Sequence, residues 1–315
     1  MATGTTVHCG IAIPQDFIGG PLHPDSLRAF LTRAERLGYE SAWVQEQIVG
    51  TVPILEPVTV LIYAAALTRT MRLGTSVMVF NLRNPIQLAK SLTSLDHLSQ
   101  GRLTVGIGIG GQTSEYAAFG ISPERRVRRF VEGIEVMKAL WTEPTVNYAG
   151  EIWRLEGISQ EPKPVQQPHP PLWFGARQPA ALRRAVRLGG GFMGAGSSST
   201  QDFKNQVQLV RGFLDDAKRD PATFAISKRV YLAVDDDRAR AERRLREWFG
   251  VRYRNADLAS QVAVWGSVGE CLDRLAAIVQ HGAQHLLLNP AFDYMEQMEI
   301  LAQEIVPHLP AASRS

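Results

Sequence analysis

RLGTSVMVFNLRNPIQLAKSLTSLDHLSQGRLTVGIGIGG, from Arg72 to Gly111, is the stretch from which the rest of the chain can be read. RLGTSVMV (72–79) is short, apolar and rich in strand-forming residues. Pro85 then opens PIQLAKSLTSLDHLS, where apolar residues recur at helical spacing. RLTVGIGI (102–109) returns to strand composition. A strand, a helix and a second strand in close succession require a crossover connection, so the two strands run parallel.

The same alternation extends in both directions. Upstream lie a strand at VHCGIAI (7–13), a helix with Asp25 and Ser26 as N-cap candidates and Gly38 as its stop, a strand at ESAWVQ (40–45) and a helix over 56–69. Downstream come a helix over 123–141, a hairpin near 145–155, a strand at PLWFG (171–175), the helix PAALRRAVRLG and a strand at GFM (191–193). The pattern continues with a helix over 200–219, the strand ISKRVYLAV (226–234), helices to about 250, a helix over 268–282, the strand HLLLN (285–289) and a last helix to about His308. Roughly eight strands separated by helices predict an α/β fold, a (β/α)8 TIM barrel with loop insertions. An open doubly wound sheet is the competing architecture. No Pro/Gly/Ser-rich linker interrupts the pattern, so residues 1–315 are expected to form a single domain.

Composition excludes several function classes. The net charge of +3 arises from 34 basic and 31 acidic residues, and basic runs such as ERRVRRF (124–130) read as solvated helix faces. They carry no interleaved base-stacking aromatics, which argues against nucleic-acid binding. Cys9 and Cys271 are too few and too far apart for a disulfide framework. The start, MATGTTVHCG, has no signal-peptide character, and PVTVLIYAAAL (57–67) is too short to span a bilayer. A cytoplasmic protein with no membrane partner is expected.

Side chains of a strand point alternately to its two faces. Gly106, Gly108 and Gly110 therefore share one face and Val105, Ile107 and Ile109 the other. In a barrel the apolar set would pack on the outer helices. The glycine set would leave room in the lumen for something flat, or else mark a tight corner or a layer of small residues. Gly106, Gly108 and Gly111 also spell GxGxxG, but mostly within a strand that already has three βα units before it. That placement weakens the reading as an NAD(P)-binding fingerprint.

Barrel chemistry belongs at the C-terminal strand ends. No histidine ends a strand, and no cluster has metal-ligand spacing, so no metal is expected. The strand ends offer instead Glu46 and Gln47; Asn81, Arg83 and Asn84; Gly110 and Gly111 with Ser114 and Glu115 beyond; Gly175, Ala176, Arg177 and Gln178; and Gly194, Gly196 and Ser197. The last two groups read as an anion cradle before helix N-termini, or as turn and capping residues. Nothing here supports covalent catalysis, so a cofactor is expected to carry the reactivity.

These residues carry a family likeness. The block from Arg72 to Gly111 resembles the signature of the bacterial-luciferase-like flavin-dependent oxidoreductases, and PKPVQQPHPPLWFGA, AALRRAVRLGGGF and SVGECLDRLAAIVQHGAQHLLL are similar to later blocks of that family. The resemblance implies a barrel that binds coenzyme F420, with FMN as the alternative. It implies a ring resting on a bulge of the third strand at Ser76, Val77, Met78 and Val79, with a non-prolyl cis peptide at Ser76–Val77. Ile109, Gly110 and Ser114 match ring and tail contacts, and Ala176, Arg177 and Gln178 match the phosphate loop; Gly108, Gly175, Gly194 and Gly196, read from the strand ends, complete the expected cofactor-binding set. Glu46-Gln47 stands where the deazaflavin dehydrogenases often carry Asp-His, and Gly111 replaces the glutamate of the sugar-phosphate dehydrogenases, so that activity is not implied. The implied function is hydride transfer from reduced coenzyme to an unsaturated or carbonyl small molecule, with Glu46 or Gln47 polarising ring or substrate. The alternatives are an FMNH2-dependent monooxygenase using O2, fed by a separate flavin reductase, and a non-catalytic flavin-binding barrel. A homodimer is expected by analogy.

Overall fold

The computed structural model describes residues 7–18, 20, 23–111 and 115–312. Eight parallel strands close into a barrel: β1 (His8–Ala12), β2 (Ser41–Val44), β3 (Arg72–Thr75, resuming at Met78–Val79), β4 (Leu103–Gly108), β5 (Leu172–Gly175), β6 (Gly191–Gly194), β7 (Ala225–Val234) and β8 (His285–Pro290). Neighbours in sequence are neighbours in the sheet. The ring closes where β8 pairs with β1, as in Gly10 opposite Leu287, and where β6 pairs with β7. The open-sheet alternative is thereby excluded.

The crossover helices α1 (Pro24–Arg36), α2 (Pro57–Leu67), α3 (Pro85–Leu98), α4 (Arg126–Thr142), α5 (Pro179–Leu188) and α6 (Thr200–Asp216) follow the first six strands. After β7 come α7 (Arg238–Tyr253), α8 (Leu258–Val262) and α9 (Val268–Gln280), and α10 (Tyr294–Ile300) follows β8. Most helix starts are written locally. Glu56 accepts from the Thr59 amide at 2.7 Å, Asn84 accepts from Ile86 at 2.9 Å, and both precede a proline at the first helical position. Ser199 with Asp202, and Ser267 with Glu270, form reciprocal capping boxes. At α1 the expectation fails by two residues, because His23 is the N-cap, Pro24 starts the helix and Asp25 falls in the first turn.

The outward faces of the strands and the inward faces of the helices make one core, with Val105, Ile107, Leu73, Phe174 and Leu286 among its buried members. The hairpin pairs Val146–Ala149 with Arg154–Ile158, slightly longer than expected. A three-residue strand, Val264–Gly266, pairs with the far end of β7 and was not legible in the sequence. The final helix changes character after Ile300, passing through a π turn (Leu301–Ile305) to a short 3-10 segment ending at His308. Among the described residues no helix is long and apolar enough to cross a membrane.

Candidate functional site

The third strand is not continuous. Its pairing with β4 runs through Gly74 opposite Thr104 and resumes at Met78 opposite Ile107. Four steps on β3 therefore match three on β4, which is one residue too many and makes a bulge. The Ser76–Val77 peptide within it is cis. Where the ladder is broken, the Thr75 hydroxyl replaces it, donating to the Gly106 carbonyl at 2.7 Å and accepting from the Gly106 amide at 2.9 Å.

This bulge corrects the reading of the glycine face. A β-carbon on Gly106 would lie 2.9 Å from the Thr75 carbonyl carbon and closer still to its oxygen. One on Gly108 would meet a Val77 methyl at 3.0 Å, and one on Gly175 would meet the same methyl at 3.0 Å. The glycines of β4 and β5 thus make room for the bulge of β3. They do not leave an empty slot against bare backbone. Gly110 adopts a positive φ of 81° under Val79, whose methyl would stand 2.7 Å from an added β-carbon.

Glu46, at the end of β2, holds the bulge from the side. One oxygen accepts from the Val79 amide, and the other takes the Arg83 guanidinium, with Arg83 Nε at 3.1 Å. Its side chain is fully buried. Burial pushes its carboxyl up even against the pull of Arg83. Both oxygens being engaged, Glu46 presents no free acid to the lumen. Gln47 accepts from Arg252 of α7 at 2.6 Å. Asn81 donates to the Tyr116 hydroxyl at 3.1 Å and to the Arg126 carbonyl at 2.9 Å.

Below the bulge the lumen is closed. Trp43 and Trp173 stack at 5.3 Å between centroids, packed with Met193, Leu287 and Val77. Beneath them His285 bridges Ser41 at 3.0 Å and Ser227 at 2.8 Å, and burial pushes its pKa down to about 3. It is a neutral structural imidazole at the end opposite the chemistry.

Strand β7 supplies lumen-facing polar side chains that reasoning from the sequence missed. Ser227, Arg229 and Tyr231 face the lumen, where they reach His285, Ser76 and Gln45 respectively. Arg229 Nη1 donates to the Ser76 carbonyl at 2.5 Å. Beyond the rim, Tyr231 shares a 2.6 Å hydrogen bond with Tyr253 and packs on Trp248 and Phe249 of α7. Gln45 donates to Asn289 at 2.6 Å across the mouth. Lys228 points the other way, and its Nζ donates to the carbonyls of Ala195 and Ser198 at 2.5 and 2.8 Å. Burial, aided by Arg229 and Arg177, pushes Lys228 down to about 7. The alternation within ISKRVYLAV was the available signal: a polar residue at every second position of a core strand has a lumen to face.

Around the Ala195–Ser198 loop three basic side chains converge. Arg177 donates to the Ser197 hydroxyl at 2.5 Å, Lys228 supports the loop from outside, and Arg229 lies against Gly196 from the lumen. None of the three has an ion-pair partner among the described residues, and Asp202 is taken by its capping box with Ser199. Gly194 and Gly196 also have packing reasons. A β-carbon would strike Phe203 at the first, and Tyr231 and Arg229 Nε at the second. Gln178 is the N-cap residue of α5 but makes no side-chain cap, while Ala176 packs partly buried against the core. Ile109 is likewise half-buried on the core, and Ser114 lies outside the described residues. No group of three potential metal ligands occurs among the described residues. A phosphate-bearing group fits this donor set: uncompensated cations and a hydroxyl beside a helix N-terminus.

Comparison with known proteins finds likeness over most of the chain. The family description "luciferase-like monooxygenase" matches residues 7–285. An uncharacterised protein of Mycobacterium tuberculosis is 43% identical over 122 residues, which is 39% of this chain and 43% of that protein, so the match spans less than half the length of this relative. The F420-dependent glucose-6-phosphate dehydrogenase of Kineococcus radiotolerans is 30% identical over 236 residues, 71% of this chain and 68% of that one. Among solved structures, monooxygenase RslO1 from Streptomyces bottropensis superposes with a TM-score of 0.79 at 27% identity, covering 96% of this chain and 99% of its own.

Proposed function

The chain belongs to the luciferase-like monooxygenase family, and on that premise we propose that it is an oxidoreductase using coenzyme F420, with FMN as the alternative, to pass a hydride to an unsaturated or carbonyl small molecule. The observation that carries this reading is a pair of arginines without ion-pair partners among the described residues, Arg177 on the Ser197 hydroxyl and Arg229 on the kinked strand, at the barrel mouth. Arg177 calls for an anionic ligand tail, and the bulge offers a floor for a planar head.

When bound, the coenzyme supplies the hydride chemistry. The protein binds, orients and excludes water. Arg177 and Ser197 hold the phosphate. Lys228 ties down the Ala195 and Ser198 carbonyls, so that the loop keeps its shape against that charge. Glu46 and Arg83 fix Val79 and with it the height of the bulge. Trp43 and Trp173 seal the lumen beneath. A Kineococcus relative that is F420-dependent supports the deazaflavin choice. A monooxygenase among the structural neighbours favours the second reading, oxygenation with reduced FMN delivered by a separate reductase.

Titration with F420 and with FMN, followed by fluorescence, decides between them. Arg177→Ala is expected to weaken the bound coenzyme by about 10- to 100-fold, the scale of one charge-assisted contact of about 1.5–3 kcal/mol. Unchanged affinity in that variant overturns the phosphate role.

A further inference from the structure

Arg229 is a buried cation with no carboxylate partner among the described residues. It is 9% exposed, its Nε has no hydrogen-bond partner, and its one strong acceptor is the neutral Ser76 carbonyl at 2.5 Å. The carboxylates of the rim are committed elsewhere: Glu46 and Glu56 to Arg83, Asp202 to Ser199, Asp16 to the Tyr294 hydroxyl at 3.0 Å. Its other neighbours are the Tyr231 ring, 5.2 Å from the guanidinium carbon, and Gly196, where a side chain would meet Nε at 2.8 Å. An uncompensated buried charge is costly and is a mark of a site that a ligand completes.

We infer that Arg229 is the positioning charge for the reduced coenzyme: it favours the hydride-loaded ring over the oxidised one. The inference rests on the coenzyme reading above. A hydride brings two electrons and one proton, so the ring gains one negative charge on accepting it and loses that charge on passing it to substrate. Arg229 is anchored to the carbonyl of Ser76, at the first residue of the bulge on which the ring would rest. A fixed cation there binds the more negative form more tightly, and a difference in affinity between two states shifts their equilibrium by the same factor. Arg177 lies at the Ser197 end of the loop and would bind both forms alike.

The test measures dissociation constants of the oxidised and the dithionite-reduced coenzyme, F420 or FMN, for the wild type, Arg229→Met and Arg229→Lys. In Arg229→Met the preference for the reduced form is expected to fall at least tenfold, which lowers the midpoint potential of the bound coenzyme by about 30 mV for a two-electron couple. Arg229→Lys is expected to keep most of that preference. Without coenzyme, Arg229→Met should melt at or above the wild-type temperature, because it removes an unpaired buried charge. An unchanged preference in Arg229→Met, an equal loss in Arg229→Lys, or a Met variant that fails to fold overturns the inference. Binding with an unchanged preference leaves the coenzyme reading intact, whereas a wild-type protein that takes up neither coenzyme removes both.

Discussion

Replacing Gly106 by alanine is the most severe test of how the bulge is housed. Gly106 and Gly108 both have backbone angles open to any residue, so the cost of a methyl group at either is steric. At Gly106 the obstacle is the Thr75 carbonyl group, whose carbon would lie 2.9 Å away, and backbone cannot rotate aside as a side chain can. Overpacking costs about 1–3 kcal/mol. Loss of the two Thr75–Gly106 hydrogen bonds adds about 1 kcal/mol each, giving about 3–5 kcal/mol in all. At Gly108 the obstacle is a Val77 methyl at 3.0 Å, and stiffening the unfolded chain returns part of the penalty, leaving about 1 kcal/mol. Val77→Ala removes that methyl, so Gly108→Ala should be neutral in its background, with a coupling of about 1 kcal/mol. Gly106→Ala should remain severe there. Urea unfolding, followed by the fluorescence of the stacked Trp43 and Trp173, gives each value from the shift in midpoint at constant slope. A Gly106→Ala protein within about 0.5 kcal/mol of wild type, or no coupling between positions 77 and 108, refutes the account of the glycines.

Further outcomes follow from the same structure. His285 is held near 3 when folded and titrates near 6.5 when free, so the unfolded chain binds the extra proton in between. Its contribution is complete above the unfolded value and is lost as pH falls towards 3, at up to about 1.4 kcal/mol per pH unit; the difference in acid unfolding between wild type and His285→Asn isolates it, and identical profiles contradict it. Glu46→Gln leaves Arg83 with only Glu56 as a charged partner and should cost about 1–3 kcal/mol in urea midpoints. It should also loosen the bulge, seen as faster hydrogen exchange at Val79, and protection at the wild-type level counts against the assignment.

The architecture was legible because each unit is locally consistent. Pro57, Pro85 and Pro179 mark helix starts, and the strands between helices are apolar enough to be buried on both faces. What escaped is what depends on contacts between distant segments. The glycines of β4 looked like vacancy because the occupant, Thr75–Val77, comes from another strand whose extra residue is invisible to a pattern of period two. Glu46 looked like an available acid because Arg83 lies 37 residues away. Lys228 and Arg229 are adjacent in the sequence and drew no functional reading there, whereas strand geometry sends them to opposite sides of the barrel wall. The place of Arg177 was legible, since a strand end before a helix start is a local feature.

The stacked indoles beneath the bulge give the barrel a bottom, and leave its mouth as the way in among the described residues. Two molecules sharing a well of that kind stand in a queue: whatever lies on the floor arrives first and departs last. For the coenzyme and acceptor proposed above, the shape of the container would impose an ordered arrival, the coenzyme leading and the acceptor following.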